Sequence, residues 1–267
     1  MTGNKRKNHT ANYGDFFLHL SIQQGAKTVK ELTESEKKRY QRQILIPSIG
    51  ESGQEKIAAA RVLVAGAGGL GSPVLYYLAA AGIGTIGIAD PDNVEISNLQ
   101  RQILYCTDDI GRQKASSAAE KITALNPGIK ALALPFRLDN NNIDRILAEF
   151  DLVVDCSDNF RTRYVLSDAS IRAAKPMVYG AVFQFFGQVS VFNYKNGPSY
   201  RDLYPGEAET EDLSAGTIPG IIGALPGIVG SFEVCETLKI ITGIGDVLSG
   251  KLLQIDALNL HLEVMSF

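Results

Sequence analysis

Apolar residues come in short continuous runs, such as Val62-Leu63-Val64-Ala65 and Leu152-Val153-Val154, separated by longer mixed stretches. Continuous runs of this length fit strands buried on both faces, and the mixed stretches fit helices laid across a sheet. The pattern predicts strands over 61–65, 85–89, 130–135, 152–155 and 176–181, with helices over 70–81, 113–125, 142–150 and 163–174 between them. Asn126-Pro127 stops the second of these helices. Regular alternation of strand and helix implies a parallel sheet covered on both sides.

Both flanks depart from the alternation. Thr33 and Glu36 fit a capping box, so a helix starts there and carries Arg39, Tyr40 and Arg42. A short helix over 54–60 leads into the first strand. In the last third, 187–194 alternates like a strand, 197–219 is a polar loop and 226–242 is an apolar helix. Segments 251–256 and 259–264 form a closing hairpin, an antiparallel C-terminal extension of the sheet. The fold class is therefore α/β, a mostly parallel sheet covered by helices. Residues 1–31 lack a sustained apolar pattern and read as a disordered leader, leaving 32–267 as one domain.

Composition narrows the class. The chain has 267 residues, 45% of them hydrophobic, enough for a substantial core. A formal net charge of -3 excludes the basic surplus of a nucleic-acid binder. No apolar run is long enough to span a membrane. The 3 cysteines, Cys106, Cys156 and Cys235, form no Cys-x-x-Cys pair and suit a reducing cytoplasm. Cys156 and Cys235 lie in apolar surroundings and read as packing residues, while Cys106 stands beside the polar segment described next.

Gly66-Ala67-Gly68-Gly69-Leu70-Gly71 follows the first strand and opens a helix. Glycines permit the tight turn, and the helix start offers free amides with partial positive charge to a phosphate. Gly66, Gly68, Gly69 and Gly71 are therefore nucleotide-binding candidates. Asp90, ending the next strand, can accept from ribose hydroxyls. Such turns often bind dinucleotides, so an NAD-dependent oxidoreductase is one reading. The following run, from Asp90 to Gln102 and on to Lys114, favours a triphosphate. Arg101 and Lys114 can neutralise phosphate charge and Asn98 can donate to phosphate oxygens. Asp92 and Gln102, in the same run, join the nucleotide-binding candidates. Lys114 opens a helix, where the dipole gives its charge nothing; a ligand phosphate would explain it, and so would a solvated helix end. Asp158, past the end of the 152–155 strand, could hold magnesium, although Asp158 or Asn159 could equally cap the next helix.

Five ordered motifs together resemble the ThiF/MoeB/HesA adenylyltransferases, relatives of ubiquitin-activating enzymes. They are Arg39-Tyr40-Gln41-Arg42-Gln43, the glycine turn, Ser97-Asn98-Leu99-Gln100-Arg101-Gln102, Asp155-Cys156-Ser157-Asp158-Asn159 and Gly187-Gln188-Val189-Ser190-Val191-Phe192. The resemblance implies a Rossmann-like fold and ATP-dependent adenylylation of the C-terminal Gly-Gly carboxylate of a ubiquitin-fold sulfur carrier protein, in thiamin or molybdenum-cofactor biosynthesis. It implies a ribose role for Asp90, ATP-phosphate roles for Asn98, Arg101 and Lys114, and magnesium at Asp158. It further implies a homodimer in which Arg42 reaches the partner subunit's ATP site, and a carrier tail threading under 197–219. Arg42, Arg101, Lys114 and Asp158 would be the catalytic set.

Two departures matter. Many relatives hold zinc with two Cys-x-x-Cys pairs; the first pair would fall at Ser199 and Asp202, so no zinc site is expected. Relatives also often carry a loop cysteine, whose position falls near Gly216, and none lies between Asp158 and Cys235. No covalent enzyme–carrier intermediate is expected at that loop. These losses leave a non-catalytic carrier-binding scaffold as a further reading.

Overall fold

A computed structural model describes residues 31–206 and 220–267. The leader, and most of the loop expected over 197–219 with its Gly216 position, lie outside them.

Eight strands make one sheet: β1 (Arg61–Ala65), β2 (Thr85–Ala89), β3 (Lys130–Leu134), β4 (Leu152–Asp155), β5 (Met177–Phe183), β6 (Phe186–Phe192), β7 (Lys251–Asp256) and β8 (His261–Ser266). Their spatial order is β3-β2-β1-β4-β5-β6-β7-β8. The first five run parallel, and β6, β7 and β8 add antiparallel neighbours. This is the mostly parallel sheet with an antiparallel extension that the pattern predicts. The chain winds outward from β1 through β2 to β3, then returns to β4 on β1's other side. That reversal leaves a crevice at the carboxyl ends of β1 and β4, where open α/β sheets bind ligands.

The helices are α1 (Glu34–Arg39), α2 (Gln41–Ile44), α3 (Gly50–Ala59), α4 (Gly71–Ala81), α5 (Lys114–Leu125), α6 (Ile143–Ala148), α7 (Phe160–Ala173), α8 (Tyr200–Leu203) and α9 (Leu225–Thr242). They cover both faces. Val62 and Val64 of β1 join a core with Ile57 of α3, Leu75 of α4, Ile122 of α5 and Val229 of α9. Leu63 and Ala65 point the other way, into a core with Ile146 of α6, Leu166 of α7 and Tyr200 of α8. Burial on both sides is why β1 reads as an unbroken apolar run. No helix among the described residues is long and apolar enough to cross a membrane.

Two expectations are corrected. The first helix keeps its Thr33–Glu36 capping box but ends at Arg39, and Arg42 sits on the separate α2. Tyr40 causes the break. It is buried against Gly82, where an added Cβ would lie 2.5 Å from the ring, and its hydroxyl accepts from Asn126 Nδ2 at 2.8 Å. Inside the polar loop, Ser199 and Asp202 form a capping box that starts the one-turn α8.

Two glycine substitutions should act in opposite directions. A Cβ at Gly71 would meet Gly66 O at 2.1 Å, whereas one at Gly227 in α9 meets nothing within 4 Å. Gly71→Ala is expected to destabilise the protein by about 3 kcal/mol through backbone overlap. Gly227→Ala is expected to stabilise it by about 0.5 kcal/mol through unfolded-chain entropy. Urea denaturation of both variants checks the pair.

Candidate functional site

The turn after β1 is folded onto the end of β4. Gly66 adopts φ +102°, and a Cβ there would lie 2.6 Å from Cys156 O. Gly66 N donates to Ala89 O, Ala67 N to Asp90 Oδ2, and both Ser72 N and Ser72 Oγ to Gly68 O. Between these bonds lie the amides that a helix start leaves free, at the positive end of α4. Asp90 is buried, with Oδ2 on Ala67 N at 2.8 Å and Oδ1 on Asp92 N at 2.9 Å. Burial pushes its pKa up, opposed by the Lys114 charge and these two amides. Its carboxylate therefore shapes the glycine turn, a role in addition to the ribose contact expected of it.

The run from Asp92 to Lys114 walls one side of the turn. Arg101 Cγ lies 3.5 Å from where a Gly69 Cβ would stand, and Gln102 Nε2 lies 3.6 Å from the corresponding position at Gly68. Gln102 is 4% exposed, and its buried Oε1 has no hydrogen-bond partner. A buried acceptor left unpaired beside a glycine turn is the mark of a missing donor. Asn98 is buried and accepts from Glu95 N at 3.2 Å, while Arg101 Nη1 donates to Ser97 O at 3.1 Å. Lys114 is the first residue of α5, 6% exposed, with Nζ 3.3 Å from Asp92 Oδ2. The largely exposed Asp92 carboxylate thus gives the lysine an internal counter-charge.

On the other side is the turn after β4. Asn159 caps α7 by accepting from Thr162 N at 2.9 Å. Asp158 is consequently not the cap; it is exposed, with one contact from Asn159 Nδ2 at 3.4 Å. Asp155 is fully buried and takes Ser157 N at 3.0 Å and Ser157 Oγ at 2.6 Å on Oδ1. Burial pushes its pKa up to about 6, against the pull of Arg163 and Ser157. The glycine turn, Asp90 and Asp158 all follow carboxyl ends of adjacent strands.

Some residues escaped the sequence reading. Tyr105 OH donates to Ala67 O at 2.8 Å and bridges toward Lys114 O at 3.3 Å, tying the glycine turn to α5. Asp109 is a buried hub for Lys121, Cys106 N, Ser117 and Arg112; against the effect of burial, the bonds from Lys121, Cys106 and Ser117 hold its carboxyl below the usual range. The partners of Tyr105 lie 38 and 9 residues away and give no local signal, whereas Asp109 pairs with Cys106 in a capping box three residues apart that the sequence could have shown. Arg42 is exposed on α2 and has no polar partner among the described residues. Cys156 is buried as expected, with Sγ 3.8 Å from Glu233 Oε1. Cys235 is exposed, not a packing residue: α9 is apolar around most of its circumference, which hides the face turned to the core. Cys106 is exposed, with Lys121 Nζ 3.8 Å from its sulfur.

The fold is a Rossmann-like sheet that carries a glycine turn and an exposed carboxylate, Asp158, after neighbouring strands. The chain belongs to the ThiF family, whose sequence profile matches residues 40–267. It is 47% identical over 231 residues to the sulfur carrier protein adenylyltransferase of Thermus thermophilus, covering 85% of each chain. It is 45% identical over 245 residues to a Mycobacterium tuberculosis protein named "Probable adenylyltransferase/sulfurtransferase MoeZ", covering 88% of this chain and 61% of that one. Among solved structures, Escherichia coli MccB with ATP superposes with a TM-score of 0.75 at 20% identity, over 95% of this chain and 77% of that one. At that identity the last likeness speaks for the fold alone.

The unpaired Gln102 acceptor yields a two-sided prediction. Gln102→Met removes a buried unsatisfied oxygen and is expected to raise the stability of the unliganded protein by about 1 kcal/mol. The same change is expected to weaken nucleotide binding. Calorimetric melting without ligand and titration with ATP check the two signs.

Proposed function

We propose that this protein uses ATP to adenylylate the C-terminal Gly-Gly carboxylate of a ubiquitin-fold sulfur carrier protein in the cytoplasm, serving thiamin or molybdenum-cofactor synthesis. The observation that carries this reading is the presence of a glycine turn and an exposed carboxylate, Asp158, after the two strands that flank the switch point. Gly66 and Gly71 shape the turn and Gln102 offers an unpaired acceptor beside it, while Asp158 is exposed after the neighbouring strand because Asn159 takes the helix cap. A dinucleotide has no evident use for a carboxylate there; a metal-bound triphosphate has. The 47% identity to the Thermus adenylyltransferase supports the same assignment.

The residues fit magnesium in the manner usual for nucleotide enzymes, with one or two carboxylates and the remaining positions on phosphate oxygens and water. Asp158 is the carboxylate in position, and no group of three metal-binding side chains occurs among the described residues. When bound, the ion would neutralise phosphate charge. Around it, the free amides of the α4 start and the Asn98, Arg101 and Lys114 side chains would hold the phosphates, with Asp90 and Asp92 toward the ribose.

An oxygen of the carrier's terminal carboxylate attacks the α-phosphorus of ATP. A new P–O bond forms to the carrier, the bond to the β-phosphate oxygen breaks, and pyrophosphate departs with that electron pair. The substrate brings its own nucleophile, so no protein nucleophile or general base is required. Catalysis rests on alignment and on positive groups placed where charge accumulates. Arg42, exposed on α2, would complete the partner subunit's site in a homodimer.

ATP–pyrophosphate exchange in the presence of Gly-Gly-ended carriers tests the assignment. Activity is expected with at least one such carrier; no exchange with any, together with tight NADH binding, would overturn it. Asp158→Ala and Arg101→Ala are each expected to lower exchange by about 10²–10³-fold, the cost of one charge-stabilising contact. Arg42→Ala should be comparably impaired, yet mixing it with Asp158→Ala should restore part of the activity, because mixed dimers contain one intact site. Absence of rescue would count against a shared site.

A further inference from the structure

Asp155 Oδ2 and Glu233 Oε2 are buried without hydrogen-bond partners, and Arg163 and Tyr200, which interact with each other, are buried among them. Arg163 is at their centre. Only 8% exposed, it interacts electrostatically with Asp155, Tyr179 and Tyr200, and its guanidinium lies 5.3 Å from the Phe160 ring centroid and 5.5 Å from that of Tyr179. Glu233 is fully buried beside them and its carboxyl is pushed well above the usual range by that burial, while Arg163 and Asp155 are the pair that reaches Ser157.

The pair closes on Ser157 from two sides. Asp155 Oδ1 accepts from Ser157 N and Oγ, and Arg163 Nη2 donates to Ser157 O at 3.2 Å. Ser157 is thus gripped at its amide, its hydroxyl and its carbonyl. Among the described residues, the side chain of the next residue, Asp158, has one hydrogen bond, the long contact from Asn159 Nδ2 at 3.4 Å. That long bond holds the carboxylate weakly, whereas the backbone leading into Asp158 is tied at Ser157.

We propose that Arg163 is a positioning residue for the metal-holding carboxylate: through the Ser157 carbonyl it sets the location of Asp158. Displacement of a positioned group by about 1 Å can cost on the order of 10²-fold in rate, so a residue that never touches the nucleotide can govern its metal. The inference rests on the adenylylation reading for the identity of the metal, and on the geometry of the turn for the residue.

The test uses Mn²⁺ as the probe and the full chain with a non-hydrolysable ATP analogue. Electron paramagnetic resonance titration measures Mn²⁺ affinity, and calorimetry measures binding of the analogue without metal. Arg163→Met is expected to weaken Mn²⁺ binding tenfold or more while metal-free analogue binding stays within twofold. Arg163→Lys, which keeps the charge and one donor, is expected to recover part of the loss. Should Arg163→Met fail to fold, Ser157→Ala serves instead: it removes the hydroxyl tether, keeps the carbonyl, and is expected to give a smaller weakening of the same kind. Mn²⁺ affinity unchanged in the folded variants, or lost in parallel with metal-free analogue binding, would overturn the assignment. Failure of the unaltered protein to bind Mn²⁺ with the analogue would instead strike at the adenylylation reading.

Discussion

Two stretches of backbone from different strands meet in the site with no room between them. Gly66 passes so near the Cys156 carbonyl that no side chain fits between them. Because Gly66 follows β1 and Cys156 follows β4, this contact joins the two halves of the sheet where their connections diverge. The glycine turn cannot shift without moving the β4 turn, and the β4 turn carries Asp158. A glycine turn and a carboxylate that follow different strands are thereby linked through a single backbone contact. Hydrogen bonds then orient the side chains: Asp90 on the Ala67 amide, Tyr105 on the Ala67 carbonyl, and Asp155 with Arg163 on Ser157. The groups that would meet the nucleotide are thus backed by buried partners that need not touch it.

The outline of this arrangement was legible in the chain because its physical causes are local. β1, β2 and β4 read correctly to the residue, since burial on both faces makes their apolar runs continuous. The glycine turn was legible because it needs a residue type that tolerates φ +102° and backbone contact. The Thr33–Glu36 cap was likewise visible, its two partners being three residues apart. What the chain concealed depends on contacts distant in sequence. The break at Tyr40 needs Gly82 and Asn126. Whether Asp158 or Asn159 capped α7 could not be decided from composition, since both residue types cap well. The exposure of Cys235 was hidden by a helix that is apolar on several sides and also buries Glu233 and Glu236.

The anchoring of Tyr40 has a mechanical corollary. Its ring fills the notch at Gly82, and its hydroxyl is tied to Asn126, whose side chain also donates to Ala79 O at 2.7 Å. Three parts of the chain meet at this rivet, just two residues before Arg42. The arginine's point of departure is therefore referenced to the ends of α4 and α5 rather than to whatever precedes it. Inserting a single residue between Tyr40 and Arg42 would redirect the side chain by about 100°, one residue's share of a 3.6-residue helical turn.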